Sequence, residues 1–329
     1  MQCFIKDGKS FRTKHIAPAV GDITIKSIYD EVSNITIPRQ GYTVGVGDFI
    51  FTEGYAGIVN EVSAEDGAIS LSCIDINRLF RRDLFPVEWV GAGIEEFIKE
   101  QIEREYVDVE DVIYRLPYLD VVIHTRTLED VKPENSEGLW NLKSYFARVR
   151  RLAGVFVEFS ADGDRLRVDI MRRDRPFHNI DLTMGGFEVL EESFSSGTTG
   201  RVTAKAEDTG EISDWYLLEN GEIVNEYTAA DRVEGEWAKL VVDGVDDVET
   251  QVKNIFNTNS YSHMIEFATY KKYGFYDECV LKTPGGKIVR SYISAVRKVS
   301  GDERTIYKTG ELRLMIDEEL NYRLGDGDI

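Results

Sequence analysis

Gly47-Asp48-Phe49-Ile50, then Gly57-Ile58-Val59, then Asp66-Gly67 and Ile69-Ser70-Leu71-Ser72-Cys73 follow one another in a single stretch, and their order decides the fold. Glycine-marked turns separate short runs in which apolar and polar residues alternate. Ile69, Leu71 and Cys73 fall on one side of such a run and the serines on the other, the pattern of a half-buried strand. A similar order returns near the other end of the chain. Pro284-Gly285-Gly286 opens a run from Lys287 to Val299, and Ile306-Tyr307-Lys308-Thr309-Gly310 leads into Leu312-Arg313-Leu314-Met315-Ile316. Two like modules around a long middle predict a scaffold built by duplication. Each is expected to be a closed or nearly closed antiparallel sheet, because strands joined by Gly turns must hide their edges.

Working outward, residues 1–84 read as the first β-barrel-like domain, with Asp7-Gly8 and Asp66-Gly67 as turn signals and Ile23, Ile25, Ile35 and Ile37 as further alternating positions. The run Asp75 to Asp83 ends it, where charge replaces apolar residues. Residues 85–186 read as a helical and β-hairpin middle domain. Ile94, Phe97, Ile98 and Ile102 have helical spacing, and Leu139, Leu142, Phe146, Val149 and Leu152 predict a second helix over 138–153 that stops at Gly154. Strands at 155–159 and 166–170 flank Asp162-Gly163, a hairpin signal. Residues 187–245 read as an acidic β-rich domain with a hairpin at Asn220-Gly221. Residues 246–329 read as the second barrel domain, opened by a helix carrying Val248, Val252, Ile255 and Phe256 and closed by a loose polar tail from Asn321. The fold class is thus mainly β with a few helices (α+β): two barrel-like tube domains flanking a mixed α/β middle.

With 329 residues the chain is long enough for two or three domains, and its apolar content is ordinary for a folded protein. The formal net charge of −20 argues against a free-standing grip on nucleic acid, which needs a basic surface. Two readings remain: the charge keeps a large protein soluble, or an acidic wall lines a passage through which a polyanion slides without sticking. Cys3, Cys73 and Cys279 are far apart and form no CxxC pair, so they read as small buried apolar residues of a reducing compartment. No basic–apolar signal opens the chain and no run approaches membrane-spanning length, which predicts assembly in a cytoplasm.

No catalytic constellation, cofactor motif or metal set emerges. His15, His124, His178 and His263 are isolated, and His263-Met264-Ile265-Glu266 lacks the second histidine of a metalloprotease helix. Gly45-Val46-Gly47 is only a fragment of a dinucleotide motif and precedes a hairpin. Carboxylate pairs such as Glu95/Glu96 and Glu191/Glu192 are too common to mark a glycosidase, whose two carboxylates must face each other across a cleft. Arginine is concentrated at 148, 150, 151, 165, 167, 172, 173 and 175. Ion pairs with Glu158, Asp162, Asp164, Asp169 and Asp174 are one reading of that block. A subunit contact through Arg148, Arg150 or Arg151 is the other, since the stripe of their helix must pack inward. Residues 207–250 hold fourteen acidic side chains against Arg232 and Lys239 alone. This block is either a solvated face or a surface that meets the arginines of a neighbouring copy.

The segments from Gly47 to Val59, Ile69 to Ile76 and Leu79-Phe80-Arg81-Arg82-Asp83, with Tyr261 to Phe267, Ser291 to Val296 and Ile306 to Arg313, resemble the baseplate-hub or tail-associated proteins of long-tailed phages and prophages. The resemblance covers roughly 40–83 and 246–317, and more loosely 138–245. It implies a non-enzymatic structural hub at the distal tip of a tail, assembled in the bacterial host cytoplasm. It further implies a homotrimer whose six similar barrels match a sixfold tube. A distal tail or tube protein would sit above it and a spike, fibre or lytic tip protein below, with tape measure protein and DNA passing through. Glu61, Glu65 and Glu311 are then candidates for an acidic lumen. A host-surface or carbohydrate-binding tail component is the alternative, and a cell-wall hydrolase a third reading.

Overall fold

The computed structural model describes residues 1–29, 31–39, 41–65, 67–87, 93–128, 131–133, 138–194, 199–218, 223–229, 232–245, 248–260 and 263–310. The chain forms two compact units. The first is Met1–Arg175 with Arg297–Glu303, and the second is Pro176–Val296 with the segment from Arg304 onward.

In the first unit, seven strands come from the N-terminal module: β1 (Gln2–Lys6), β2 (Thr13–Pro18), β3 (Val20–Ser27), β4 (Ser33–Pro38), β5 (Phe49–Thr52), β6 (Tyr55–Glu65) and β7 (Ala68–Asp75). They lie in the order β3-β4-β7-β6-β5-β1-β2 through antiparallel ladders. Alternation puts Ile5, Ile35, Ile37, Ile50, Val59, Leu71 and Cys73 on one face, where residues from all seven strands and from Ala19 share a single core. The sheet is therefore curled around its own side chains. Among the described residues no ladder joins β2 back to β3, so the closure expected from the sequence is not made by backbone hydrogen bonds within the chain.

The opening stretch is pinned by Asp48, which is buried. Its carboxylate accepts Gly8 N–H at 3.2 Å and Gly45 N–H at 2.8 Å, and pairs with Lys14 Nζ at 2.7 Å. Gly47 turns with φ +87° and donates to Val59 O at 2.8 Å, which seats the loop against β6.

The opposite face of β5 carries Phe49 and Phe51, which with Phe11 meet a second layer. That layer consists of α1 (Ile94–Ile102, continued as a π-helical turn Glu103–Val107), β8 (Leu119–Ile123), α2 (Leu142–Ala153), β9 (Val155–Asp162) and β10 (Arg165–Arg172). β10 lies between β8, parallel to it, and β9, its antiparallel hairpin partner across Asp162-Gly163. Asn141 caps α2 by accepting Ser144 N–H at 2.9 Å, and Gly154 ends it at φ +65°, where the sequence places the stop. The buried stripe is Leu142, Tyr145, Phe146, Val149 and Ala153. Leu139 and Leu152, expected in that stripe, are exposed. The helix starts after Leu139, and Leu152 lies at the margin of an arc that Ala153 completes.

The second unit holds β11 (Phe177–Asp181), β12 (Phe187–Phe194), β13 (Thr199–Ala206), β14 (Ile212–Leu217), β15 (Ile223–Val224), β16 (Glu236–Val242), α3 (Val248–Ser260), β17 (His263–Thr269), β18 (Glu278–Lys282), β19 (Ile288–Val299, its last residues belonging to the first unit) and β20 (Thr305–Gly310). Its main sheet runs β12-β17-β20-β19-β18-β11 around Ile180, Ile265, Phe267, Leu281, Ile293 and Tyr307. Numbered by position in the chain, this is the strand order of β3-β4-β7-β6-β5-β1 in the first sheet. The first sheet adds β2 at its edge. The first strand of each set differs, since β11 runs parallel to β18 whereas β1 runs antiparallel to β5.

A second sheet, β15-β14-β13-β16, is inserted between β12 and β17. Val248, Val252 and Phe256 of α3 pack on Val202, Ala204, Ala206, Leu217 and Val242 of its inner face. β11 and β12, which the sequence reading divides between its two middle segments, therefore pair in the C-terminal sheet, while α3, read with the C-terminal segment, covers the inserted one. Asp66, Asn220, Gly221, Glu311 and the tail from Asn321 lie outside the described residues. Among the described residues no helix is long and apolar enough to cross a membrane.

Candidate subunit-contact surfaces

The three arginines proposed for a subunit contact lie near the C-terminal end of α2. Arg150 and Arg151 occupy its last turn, where cations complement the helix dipole. Arg148 donates Nε–H to Lys132 O at 2.9 Å and is half-buried, as is Arg150, while Arg151 is exposed. They are spread around the polar side of the helix. The rest of the Arg-rich block is used partly within the unit. Glu158 takes both Lys26 and Arg173. Burial alone would raise its carboxyl, but the two cations hold it below the ordinary carboxylate value. Asp169 receives His124 Nε2 at 2.6 Å and Arg167 Nε at 2.9 Å, which outweigh partial burial and lower its pKa. The ion-pairing reading thus accounts for Arg167 and Arg173, and leaves Arg151 exposed at the surface.

Of the acidic candidates, Glu61 is exposed on β6 immediately after a bulge. Val59 pairs with Cys73, Glu61 with Ser72 and Val62 with Leu71, so Asn60 is the extra residue. Without it, strict alternation would turn Glu61 toward the core beside Val59; the bulge sends it to the outer face. The side chain of Glu65 and the whole of Glu311 lie outside the described residues.

The acidic block divides in two. Glu207, Asp208, Glu211, Glu226, Glu234 and Glu236 are exposed at turns and strand ends of the inserted sheet. The face of that sheet turned away from α3 is different. Ladder register places Trp237, Arg201 and Tyr216 in one row, Lys239, Thr203 and Asp214 in the next, and Val241, Lys205 and Ile212 in a third. Arg201 lies 3.9 Å from the Trp237 ring centroid and pairs with Asp214 through Nε at 3.2 Å and Nη2 at 2.9 Å. Those bonds, with one from Thr203, hold the Asp214 carboxyl below its ordinary value. Trp237 donates Nε1–H to Thr203 at 2.7 Å, and Arg232 covers Tyr216 at 4.9 Å. Among the described residues this face carries four cations, Arg201, Lys205, Arg232 and Lys239, against one carboxylate, Asp214. The net charge of the segment conceals it, because strand alternation segregates acids to the rim and cations to the face. Alternation at Arg201, Thr203 and Lys205 is the signal from which it can be found.

Among the described residues no group of three or more His, Cys, Asp or Glu is placed to hold a metal ion. All three cysteines are buried and free, and burial, reinforced by Cys3, pushes the Cys73 thiol up to about 12, away from thiolate chemistry.

No protein-family model matches the chain, and no curated protein matches it either. Solved structures do. Prophage tail protein gp18 from Listeria monocytogenes EGD-e superposes with a TM-score of 0.52 at 11% identity, covering 98% of each chain. The 43 kDa tail protein of prophage MuSo2 from Shewanella oneidensis gives a TM-score of 0.51 at 11% identity over 94% of this chain and 98% of its own. At such identities the likeness is one of fold.

Proposed function

We propose that this chain is a structural component of a phage or phage-derived tail, a hub at the distal tip that joins the tail tube to a central spike or fibre. The observation that carries the reading is the repeated strand order of the two main sheets, in a chain whose fold is shared along nearly its whole length with prophage tail proteins. Two similar sheets per chain let three chains present six similar modules, which reconciles a threefold ring with a sixfold tube. In that ring each curled sheet serves as a barrel-like segment of the tube wall. A distal tail or tube protein stacks above, a spike, fibre or lytic tip protein below, and tape measure protein and DNA pass through the bore.

The role is structural and requires no catalytic residue. Glu61, exposed on the outer face of the first sheet, and, from the sequence alone, Glu65 and Glu311 are candidates for an acidic lining from which a passing polyanion is repelled. Salt screens that repulsion beyond about 8–10 Å, so it acts only in a bore little wider than a duplex. Incubating the purified assembly with linear duplex DNA at moderate salt tests the lining. The reading predicts no retention, and retention of DNA by the ring contradicts it.

A further inference from the structure

The loop that leaves α1 presents a tip that its own unit does not bury. Tyr106 is buried, and Leu116 N–H returns to Tyr106 O at 2.7 Å. Between them the chain makes one short turn, Val112–Tyr114, in which the Asp111 carboxylate accepts Ile113 N–H at 3.0 Å and Arg115 Nε holds Val109 O at 2.8 Å. The turn is braced from both sides. Yet Val112, Ile113 and Tyr114 are 73%, 85% and 62% exposed. Three consecutive large apolar residues held out in water by a braced loop mark a contact surface rather than a packing accident. Asp108, Glu110 and Asp111, all exposed, make the same tip acidic.

The open face of the inserted sheet is the complement of this tip. Among the described residues its cations outnumber its carboxylates, and Ile212, Val241 and Trp237 on it are 64%, 60% and 55% exposed. Trp and Arg, here Trp237 and Arg201, are among the residue types that dominate binding hot spots. Arg201 and Thr203 already fix Trp237 in place, so little side-chain freedom is lost on docking.

We propose that the acidic apolar tip at 108–114 of one copy docks on the basic aromatic face of the inserted sheet of a neighbouring copy. The two patches differ, so the contact is heterologous, and around a closed ring each copy gives one tip and receives another. The inference rests on the ring reading above and names the surfaces through which the copies meet. The exposed aliphatic side chains of Ile212 and Val241 on the same face favour a protein occupant over a sugar, which stacks on an aromatic ring but gains little from them.

Two full-length single variants, Ile113→Cys and Val241→Cys, test it when mixed and oxidised. The native cysteines are buried, so the introduced thiols are the ones within reach. The mixture is expected to give a covalent dimer on a non-reducing gel, well above either variant alone. Adding Asp108→Lys and Glu110→Lys to the first variant is expected to cut the yield about tenfold, and Lys205→Glu with Lys239→Glu in the second to restore it. Circular dichroism confirms that each variant is folded. A mixture that gives no more dimer than the single variants, or a charge reversal without rescue, overturns the docking. If native mass spectrometry then still finds three copies, the ring stands and only this contact is wrong; if it finds one, both fall. A Trp237 fluorescence change with a sugar-phosphate polymer, in the absence of cross-linking, would assign the face to a glycan and likewise overturn the proposal.

Discussion

Glu95 offers a quantitative test of how the first unit is held together. It is fully buried in the first turn of α1, and its carboxylate accepts Thr127 N–H at 2.8 Å and the hydroxyls of Thr127 and Thr125 at 2.9 and 2.7 Å. Thr125 Oγ1 in turn accepts Arg172 N–H at 2.7 Å, so one side chain ties α1 to the extended segment that follows β8 and to the end of β10. Glu95→Ala leaves the Thr127 N–H buried without an acceptor, a cost of about 1–3 kcal/mol, whereas the hydroxyls can rotate to other partners. Each hydrogen bond to a charged acceptor contributes about 1.5–3 kcal/mol, but the variant also escapes desolvating a carboxylate. The balance is about 3 kcal/mol lost for Glu95→Ala. Glu95→Gln, which keeps one acceptor oxygen but turns an N–H₂ toward donors, should lose about 1–2 kcal/mol. For a unit of this size about 3 kcal/mol lowers the midpoint by roughly 6–12 °C. Scanning calorimetry measures it, with urea melts followed by Trp140 fluorescence as a check. A Glu95→Ala protein within about 1 kcal/mol of the parent would refute the reasoning, because burial would then cost the carboxylate as much as its bonds return.

Three further outcomes are expected. His263 is buried, which, with Lys287 nearby, lowers its pKa from 6.5 to about 4. The native state therefore refuses a proton that the unfolded chain accepts. The stability contribution is intact above pH 6.5 and is lost as pH falls from 6.5 toward 4, by up to about 3 kcal/mol. His263→Gln should flatten that part of the urea-midpoint profile, and parallel profiles for parent and variant would count against it. A Cβ at Gly8 would sit 2.2 Å from Gly47 O, so Gly8→Ala should displace the 45–48 loop at a cost of roughly 1–3 kcal/mol, visible as faster amide exchange at Gly47 and Val59. Changing Arg148, Arg150 and Arg151 together to Glu should weaken oligomers in sedimentation more than it lowers the thermal midpoint of the chain; unchanged assembly at physiological salt would remove them from the contact.

Local features of the fold were legible in the sequence because they are written locally. Gly154, the spacing of Ile94, Phe97 and Ile98, and Asp162-Gly163 each specify a helix or a hairpin through nearest neighbours alone. Which sheet a strand joins is not local. β12 and β17 are partners across an inserted domain, so a boundary drawn at 246 separates strands that pair and assigns α3 to the wrong neighbours. The repeated strand order was visible only as two similar hairpin-and-strand runs, because the first members of the second set, β11 and β12, lie far upstream of them. Phe49, Ile50 and Phe51 show a second limit. All three are buried, since β5 has a core on each face, so no alternation marks it. The basic face was hidden for the opposite reason: a summed charge of about −12 over 207–250 averages away a segregation that only strand pairing reveals. Glu61, a candidate for an acidic lumen by sequence, is exposed on the outer face of β6 only through the bulge at Asn60, which nothing in the sequence announces.

The mass and shape of the purified chain in solution test the central claim most directly. Native mass spectrometry combined with negative-stain imaging should find three copies of the 37.4 kDa chain in a ring with a central hole and near-sixfold inner symmetry. A monomer, or a compact dimer without a hole, at the concentrations where tails assemble would contradict it.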